Sequence, residues 1–308
     1  MRAVGLAYHR VAVRQKILRL GHVILERMNR DKLNTIRFFA GILNRAKPRP
    51  KVSLIKLAPL VLTFALVIAP LGARAAETDA PDASAAHTDT KFNSAPAFAD
   101  LEAQCALGPR IPGTDAHRAG RDWIARRLRE LGYRVWLQRF QDTNPLTGES
   151  VEAWNVWGIP AAWGPDTSGP ETESPALAAK PDSFILLSAH WDTRPWADEE
   201  PLASKRQPFL GANDGASGVA VALEVARTLK GRGLENRVAL VFYDLEDSGI
   251  HGKTEGWSRG AQFALAHLPP WFGRLRVGIN LDMVAGEELV LRREAYGEKV
   301  APDPSQRL

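Results

Sequence analysis

The stretch RVALVFYDLEDSG, residues 237–249, runs through six apolar residues from Val238 to Tyr243 and then sets acids at Asp244, Glu246 and Asp247. A short apolar run rich in β-branched and aromatic residues predicts a strand buried on both faces, as in a parallel sheet. Acids at the end of such a strand repel one another and are costly to desolvate, so their placement needs a reason. Working outward, FILLSA (184–189) is a second buried-strand candidate, and RVGINL (276–281) a third. Helices are predicted at about 215–230 and 257–267, and over His117–Leu131, where Trp123, Ile124, Leu128 and Leu131 share one face and Gly132 stops the run. YRVWLQRF (133–140) and AWNVWGI (153–159) read as strands joined by a turn at NPLTG, and a Pro-, Gly- and Ser-rich loop covers 160–182. Strands alternating with helices predict an α/β sandwich around a mainly parallel sheet.

The 308 residues carry 40 Lys and Arg against 35 Asp and Glu. The excess is confined to the start. Residues 1–51 hold 13 basic residues and 2 acids, whereas the chain from Ala76 onward has a net charge of −8. That acidic remainder excludes a nucleic-acid partner. LAPLVLTFALVIAPL (57–71), flanked by basic residues and followed by Ala73-Arg74-Ala75, reads as a secretory signal cut after Ala75 or Ala76. The run is shorter than the roughly 20 residues that span a bilayer, which favours cleavage over anchoring. About 50 residues precede it. Either translation starts later, Met28 being available, or the basic stretch from Leu6 to Asn44 rests on anionic lipid. The expected organisation is a basic extension (1–50), a signal or anchor (51–76), a tether (77–95) and one domain (96–308), exported to the periplasm or beyond. The single Cys105 allows no internal disulfide.

Strand ends carry the chemistry. FILLSA leads into His190, Trp191 and Asp192; the quoted stretch delivers Glu246 and Asp247; RVGINL leads into Asp282; and Asp214 lies in GANDGASG before a helix. Ligands gather at the carboxyl ends of strands in open α/β sheets. Each residue alone has a plainer reading: an Asp before a helix is usually its N-cap, and adjacent acids after a strand usually lie in a solvated loop. Together, His190, Asp214, Glu246, Asp247 and Asp282 repel unless a cation joins them, and nitrogen and oxygen donors without thiolate suit Zn²⁺. All three acids after the strand are thereby expected to hold and serve a metal.

The series AHWDTRPWADEEP, PFLGANDGASGVAVALEVAR, VFYDLEDSG, GWSRGAQFA and INLDMV, with RIPGTDAHRAGRDWI before it, resembles the bacterial glutaminyl-peptide cyclotransferases over roughly residues 96–290. These share a superfamily with the zinc aminopeptidases. The resemblance implies a three-layer α/β/α sandwich around a mixed, mainly parallel sheet. It implies Asp214 and Asp247 as zinc ligands, Glu246 as general acid/base, and Asp282 as a carboxylate that positions the proton or the amine. It implies His190 and Asp192 as ligands of a second metal or as supports of the site, and Trp257 as a wall of the substrate pocket; a core Trp on an amphipathic helix is the alternative for Trp257. The implied reaction closes an N-terminal glutaminyl residue to pyroglutamate and releases ammonia from peptides or proteins, without a nucleophilic Ser or Cys. The family's further zinc-binding histidine has no counterpart after His267. His251 reads as a loop residue, and the polar end APDPSQRL as a loop. An incomplete domain of low activity is therefore expected. Two rivals are a two-zinc aminopeptidase, against which Asp247 speaks because that branch carries Glu there, and a non-catalytic binding module.

Overall fold

The computed structural model describes residues 91–163, 182–198, 207–253, 256–269 and 271–285, all within one compact unit. The readings of a basic extension, a signal segment, most of the tether, most of the 160–182 loop and the polar end at APDPSQRL fall outside the described residues. Among the described residues no helix is long and apolar enough to cross a membrane.

Helix α1 (Ser94–Ala106) begins where the tether reading stops, with the Asn93 side chain accepting from the Ala95 N–H. Its weak apolar periodicity left it unread in the sequence. Helix α2 (Asp115–Glu130) is capped by Thr114, whose Oγ1 accepts from the His117 N–H at 3.2 Å. Strands β1 (Tyr133–Thr143) and β2 (Ser150–Pro160) form a hairpin paired along its full length. At its turn the Asn144 side chain accepts from the N–H groups of Leu146 and Thr147, the local bond that favours Asn in turns. Next come β3 (Phe184–His190), α3 (Ala216–Leu229), β4 (Val238–Tyr243), α4 (Arg259–Ala266) and β5 (Leu275–Asn280).

The sheet order is β1-β2-β4-β3-β5. β3 runs parallel to β4 and β5, while β2 is antiparallel to β1 and β4. The sheet is thus mixed and open-edged, with the three strands that reach the site running parallel. Alternation along β4 shows why there are three layers. Leu240 and Phe242 join the core formed with α1, α2 and α3, whereas Ala239, Val241 and Tyr243 join a second core containing Trp157, Phe184, Ala261 and Trp271. Both faces are covered, so a half-polar strand could not serve at this position.

One glycine governs how close α3 comes to the end of β5. A Cβ on Gly218 would lie 2.2 Å from the Leu281 carbonyl oxygen. Without a side chain there, α3 approaches the backbone next to Asp282. The Ser217 hydroxyl then accepts from the Val284 N–H at 3.0 Å.

Candidate active site

Three parallel strands end side by side, and their next residues meet. His190 closes β3, Asp244 to Asp247 follow β4, and Asp282 follows β5. The loop before α3 brings Asp214. Nε2 of His190 lies 2.8 Å from Asp214 Oδ1 and 3.5 Å from Asp282 Oδ1. One donor atom from each of these three residues lies within 4.8 Å of the other two, a compact set suited to a metal ion. Despite these short distances Nε2 is buried without a well-directed hydrogen bond, an atom a cation would satisfy. An imidazole and two carboxylates are donor types that zinc accepts, so this group offers one metal position at the site.

Asp192 holds this arrangement from behind. It is fully buried, and its carboxylate lies 3.4 Å from His190 Nδ1, as carboxylates commonly orient ligand histidines. The same carboxylate accepts from the N–H groups of Glu246 at 3.1 Å and Asp247 at 3.3 Å. It therefore fixes the acid pair relative to the histidine. Burial opposes a charged His190, but Asp192, Asp214 and Asp282 outweigh it and hold the imidazole pKa well above its usual value.

Asp214 does not cap α3. The cap is Gly215, at φ 91°, with no side-chain capping bond. A Cβ there would meet the Asp192 carbonyl at 2.8 Å, and the left-handed conformation favours Gly. The carboxylate of Asp214 is thereby left for the site. Its loop is pinned by Arg110, which is buried and donates to the carbonyls of Trp191 (2.9 Å), Leu210 (2.9 Å) and Gly211 (3.1 Å). Sequence reading missed this role, although Arg110 opens the RIPGTDAHRAGRDWI motif.

Glu246 is partly buried. Burial raises its pKa above the usual carboxyl value, with Asp192 and Asp282 adding to the rise and His190 and the Ser258 hydroxyl opposing it. Ser258 Oγ donates to Glu246 Oε1 at 2.8 Å. Asp247 lies outside the three-residue group. Its Oδ1 is 3.2 Å from Arg194 Nη1, and burial, followed by the charges of Asp214 and Asp192, pushes its pKa up to about 7. Asp282 is exposed, and although partial desolvation opposes its charge, His190 and the Met283 N–H hold its carboxyl below the usual range. Arg194, also missed in the sequence, is paired with Asp198 as well and stands 5.1 Å over the Trp257 ring.

Asp244 corrects the expectation that all three acids after β4 serve the metal. It is fully buried, and its carboxylate accepts from the Trp154 N–H at 2.7 Å and the Leu245 N–H at 2.8 Å. Both its oxygens lie 2.9 Å from His117 Nε2. Because the Gly113 N–H donates to His117 Nδ1, the ring proton belongs on Nε2, facing Asp244. This pair ties α2 to the middle of β2 and to the end of β4. Burial raises the Asp244 pKa, and His117 opposes the rise.

Trp257 is partly exposed and precedes α4, so it is not a core residue of that helix. Its ring lies where a Cβ on Gly249 would clash at 2.1 Å, and its indole N–H donates to the Lys253 carbonyl. His251 is exposed and lies 5.8 Å from Trp257, ring to ring; it is not among the grouped donors.

Comparison with known proteins agrees with this geometry. The model of Peptidase family M28 matches residues 175–301. The alkaline phosphatase isozyme conversion protein of Escherichia coli (strain K12) is 29% identical over 147 residues, covering 46% of this chain and 39% of that protein. The chain thus spans less than half the length of that curated relative. A Bacteroides thetaiotaomicron glutaminyl cyclase crystallised with N-acetylhistamine is 34% identical, with a TM-score of 0.59 and 70% of each chain covered. A Zn-dependent exopeptidase from Parabacteroides distasonis is 32% identical, with a TM-score of 0.52 and 62% of each chain covered. With a family M28 match over the three strand ends that build the site, and a sheet shared with these enzymes, the chain belongs to the zinc aminopeptidase-like superfamily that includes the bacterial glutaminyl cyclases.

Proposed function

We propose that the chain is a zinc-dependent glutaminyl-peptide cyclotransferase that acts on peptides or proteins with N-terminal glutamine. The observation that carries this reading is Glu246, a partly buried carboxylate held by Ser258 directly beside Asp247. Asp247 and Asp214 press on one another electrostatically, and a zinc ion between them would relieve that repulsion and act as a Lewis acid towards the γ-amide. Glu246 takes a proton from the attacking α-amine and returns it to the departing nitrogen, a role suited to a carboxyl whose pKa is raised towards neutrality. Asp192 and Ser258 keep that carboxylate in place, and Trp257, backed by Arg194, offers an aromatic wall to the folded substrate. Aspartate rather than glutamate at 247 supports cyclase over peptidase.

A two-zinc aminopeptidase is the second reading, favoured by the compact group of His190, Asp214 and Asp282, which offers another metal position. Elemental analysis separates the two. The cyclase is expected to hold one zinc per chain, with Asp214→Ala and Asp247→Ala each lowering it and His190→Ala leaving it bound. Two zincs in the wild type, one of them lost in His190→Ala, would establish the peptidase arrangement.

We also propose export, on the strength of the apolar segment at 57–71 and the acidic remainder. N-terminal sequencing of the exported protein is expected to begin at Ala76 or Glu77; a mature chain beginning at Met1 or Met28 would show an anchored form instead.

A further inference from the structure

Ser258 occupies a place that costs the fold twice. It is the N-cap of α4 yet makes no side-chain capping bond, although a serine there usually accepts from the first turn of its own helix. Its backbone sits at φ 53°, ψ 39°, a left-handed conformation that residues with a Cβ rarely adopt. Its donors turn instead to the loop of Glu246. The Ser258 N–H donates to the Glu246 carbonyl at 2.9 Å, and the hydroxyl donates to Glu246 Oε1 at 2.8 Å. The next two N–H groups continue the seam, Arg259 to the Leu245 carbonyl at 2.9 Å and Gly260 to the Asp244 carbonyl at 3.0 Å. Gly260 is needed for that approach, since a Cβ would lie 2.2 Å from the same carbonyl. Leu245, immediately before Glu246, is also left-handed at φ 50°. Strained backbone on both sides of one carboxylate marks a site whose geometry is held rather than relaxed.

We propose that Ser258 is a positioning residue for Glu246, holding the carboxylate in its working orientation through the hydroxyl. This rests on the reading of Glu246 as the acid/base group. A cap residue that served only the helix would turn its hydroxyl towards α4. Here the hydroxyl bonds Glu246 instead of the helix, from a left-handed backbone position.

Ser258→Gly separates the two roles, because glycine adopts the left-handed conformation without strain and is tolerated at an N-cap. A merely structural serine predicts an equally or more stable variant with full activity. The proposal predicts an unchanged or raised thermal midpoint, unchanged zinc content and unchanged KM, with kcat lowered roughly tenfold to a hundredfold, the scale of a misplaced catalytic group. Ser258→Asn, which tolerates left-handed backbone and carries an N–H donor, should restore most of kcat. Crystal structures of the full chain provide a readout independent of turnover. In Ser258→Gly the Glu246 carboxylate should leave its wild-type position, and in Ser258→Asn it should return. Unchanged kcat, or a Glu246 carboxylate that stays in place in Ser258→Gly, overturns the proposal. If the wild type turns over neither an N-terminal Gln peptide nor an aminoacyl amide, the functional reading fails, and the position of Glu246 in the crystal structures still decides the role of Ser258.

Discussion

Glu246→Gln is expected to lower kcat for ammonia release from an N-terminal Gln peptide by roughly a hundredfold to ten-thousandfold, the usual contribution of a positioned acid/base group. The amide keeps the shape of the carboxylate and can still accept from Ser258 Oγ at Oε1. It cannot take the proton of the attacking amine. Zinc content is expected to stay at the wild-type level, because the Glu246 carboxylate is held by the Ser258 hydroxyl and is read as the acid/base group rather than a ligand. Ammonia assay, mass analysis of the pyroglutamyl product and elemental analysis check the three statements. A matching loss of zinc in Glu246→Gln and Asp247→Ala would make Glu246 a ligand and reverse the roles within the pair.

The second large effect concerns folding rather than turnover. The groups that bond the Asp244 carboxylate are all donors: the N–H groups of Trp154 and Leu245, and Nε2–H of His117. Asp244→Ala leaves all three without that carboxylate in a fully buried place. The expected loss is about 3–5 kcal/mol, the scale for removing one partner of a buried pair. Asp244→Asn should cost about 1–3 kcal/mol, since its single amide oxygen keeps one backbone bond while its NH2 is set against the other donor, the N–H of Trp154 or of Leu245. The midpoint of urea unfolding measures both. If Asp244→Ala unfolded at the wild-type midpoint but lost its zinc, Asp244 would belong to the metal site after all. Glu246→Gln should show the opposite signature, a normal midpoint with no turnover. The two acids lie two positions apart and serve different ends.

That contrast also shows how far residue patterns carry. Apart from α1, the strands and helices described were legible because each has one dominant periodicity. Buried parallel strands are apolar throughout, as in FILLSA, and α2 repeats its apolar face every three to four residues. The hairpin also betrayed its turn through Asn, Pro and Gly, although both strands run further than their apolar cores suggested. α1 escaped because its buried face is only weakly apolar, with Asp100 and Gln104 buried beside Ala97, Phe98 and Leu101. α4 begins two residues later than expected, because Ser258 is held by the loop of Glu246 and Trp257 precedes it there.

Within the site, the order of His190, Asp214, Glu246, Asp247 and Asp282 after apolar runs was enough to place them on one sheet edge, because parallel strands must end on the same side. Linear order does not distribute the work among neighbouring acids. Asp244 and Glu246 lie on one short stretch. Asp244 turns into the protein towards His117, 127 positions earlier, and Glu246 turns towards Ser258, 12 positions later. Arg110 and Arg194 likewise take their roles from carbonyls and carboxylates remote in the chain. Strand and helix character arises from neighbours along the chain and can be read there. Whether a buried carboxylate bonds a histidine, a serine or a metal depends on which groups the fold brings within about 3 Å of it, the reach of a hydrogen bond.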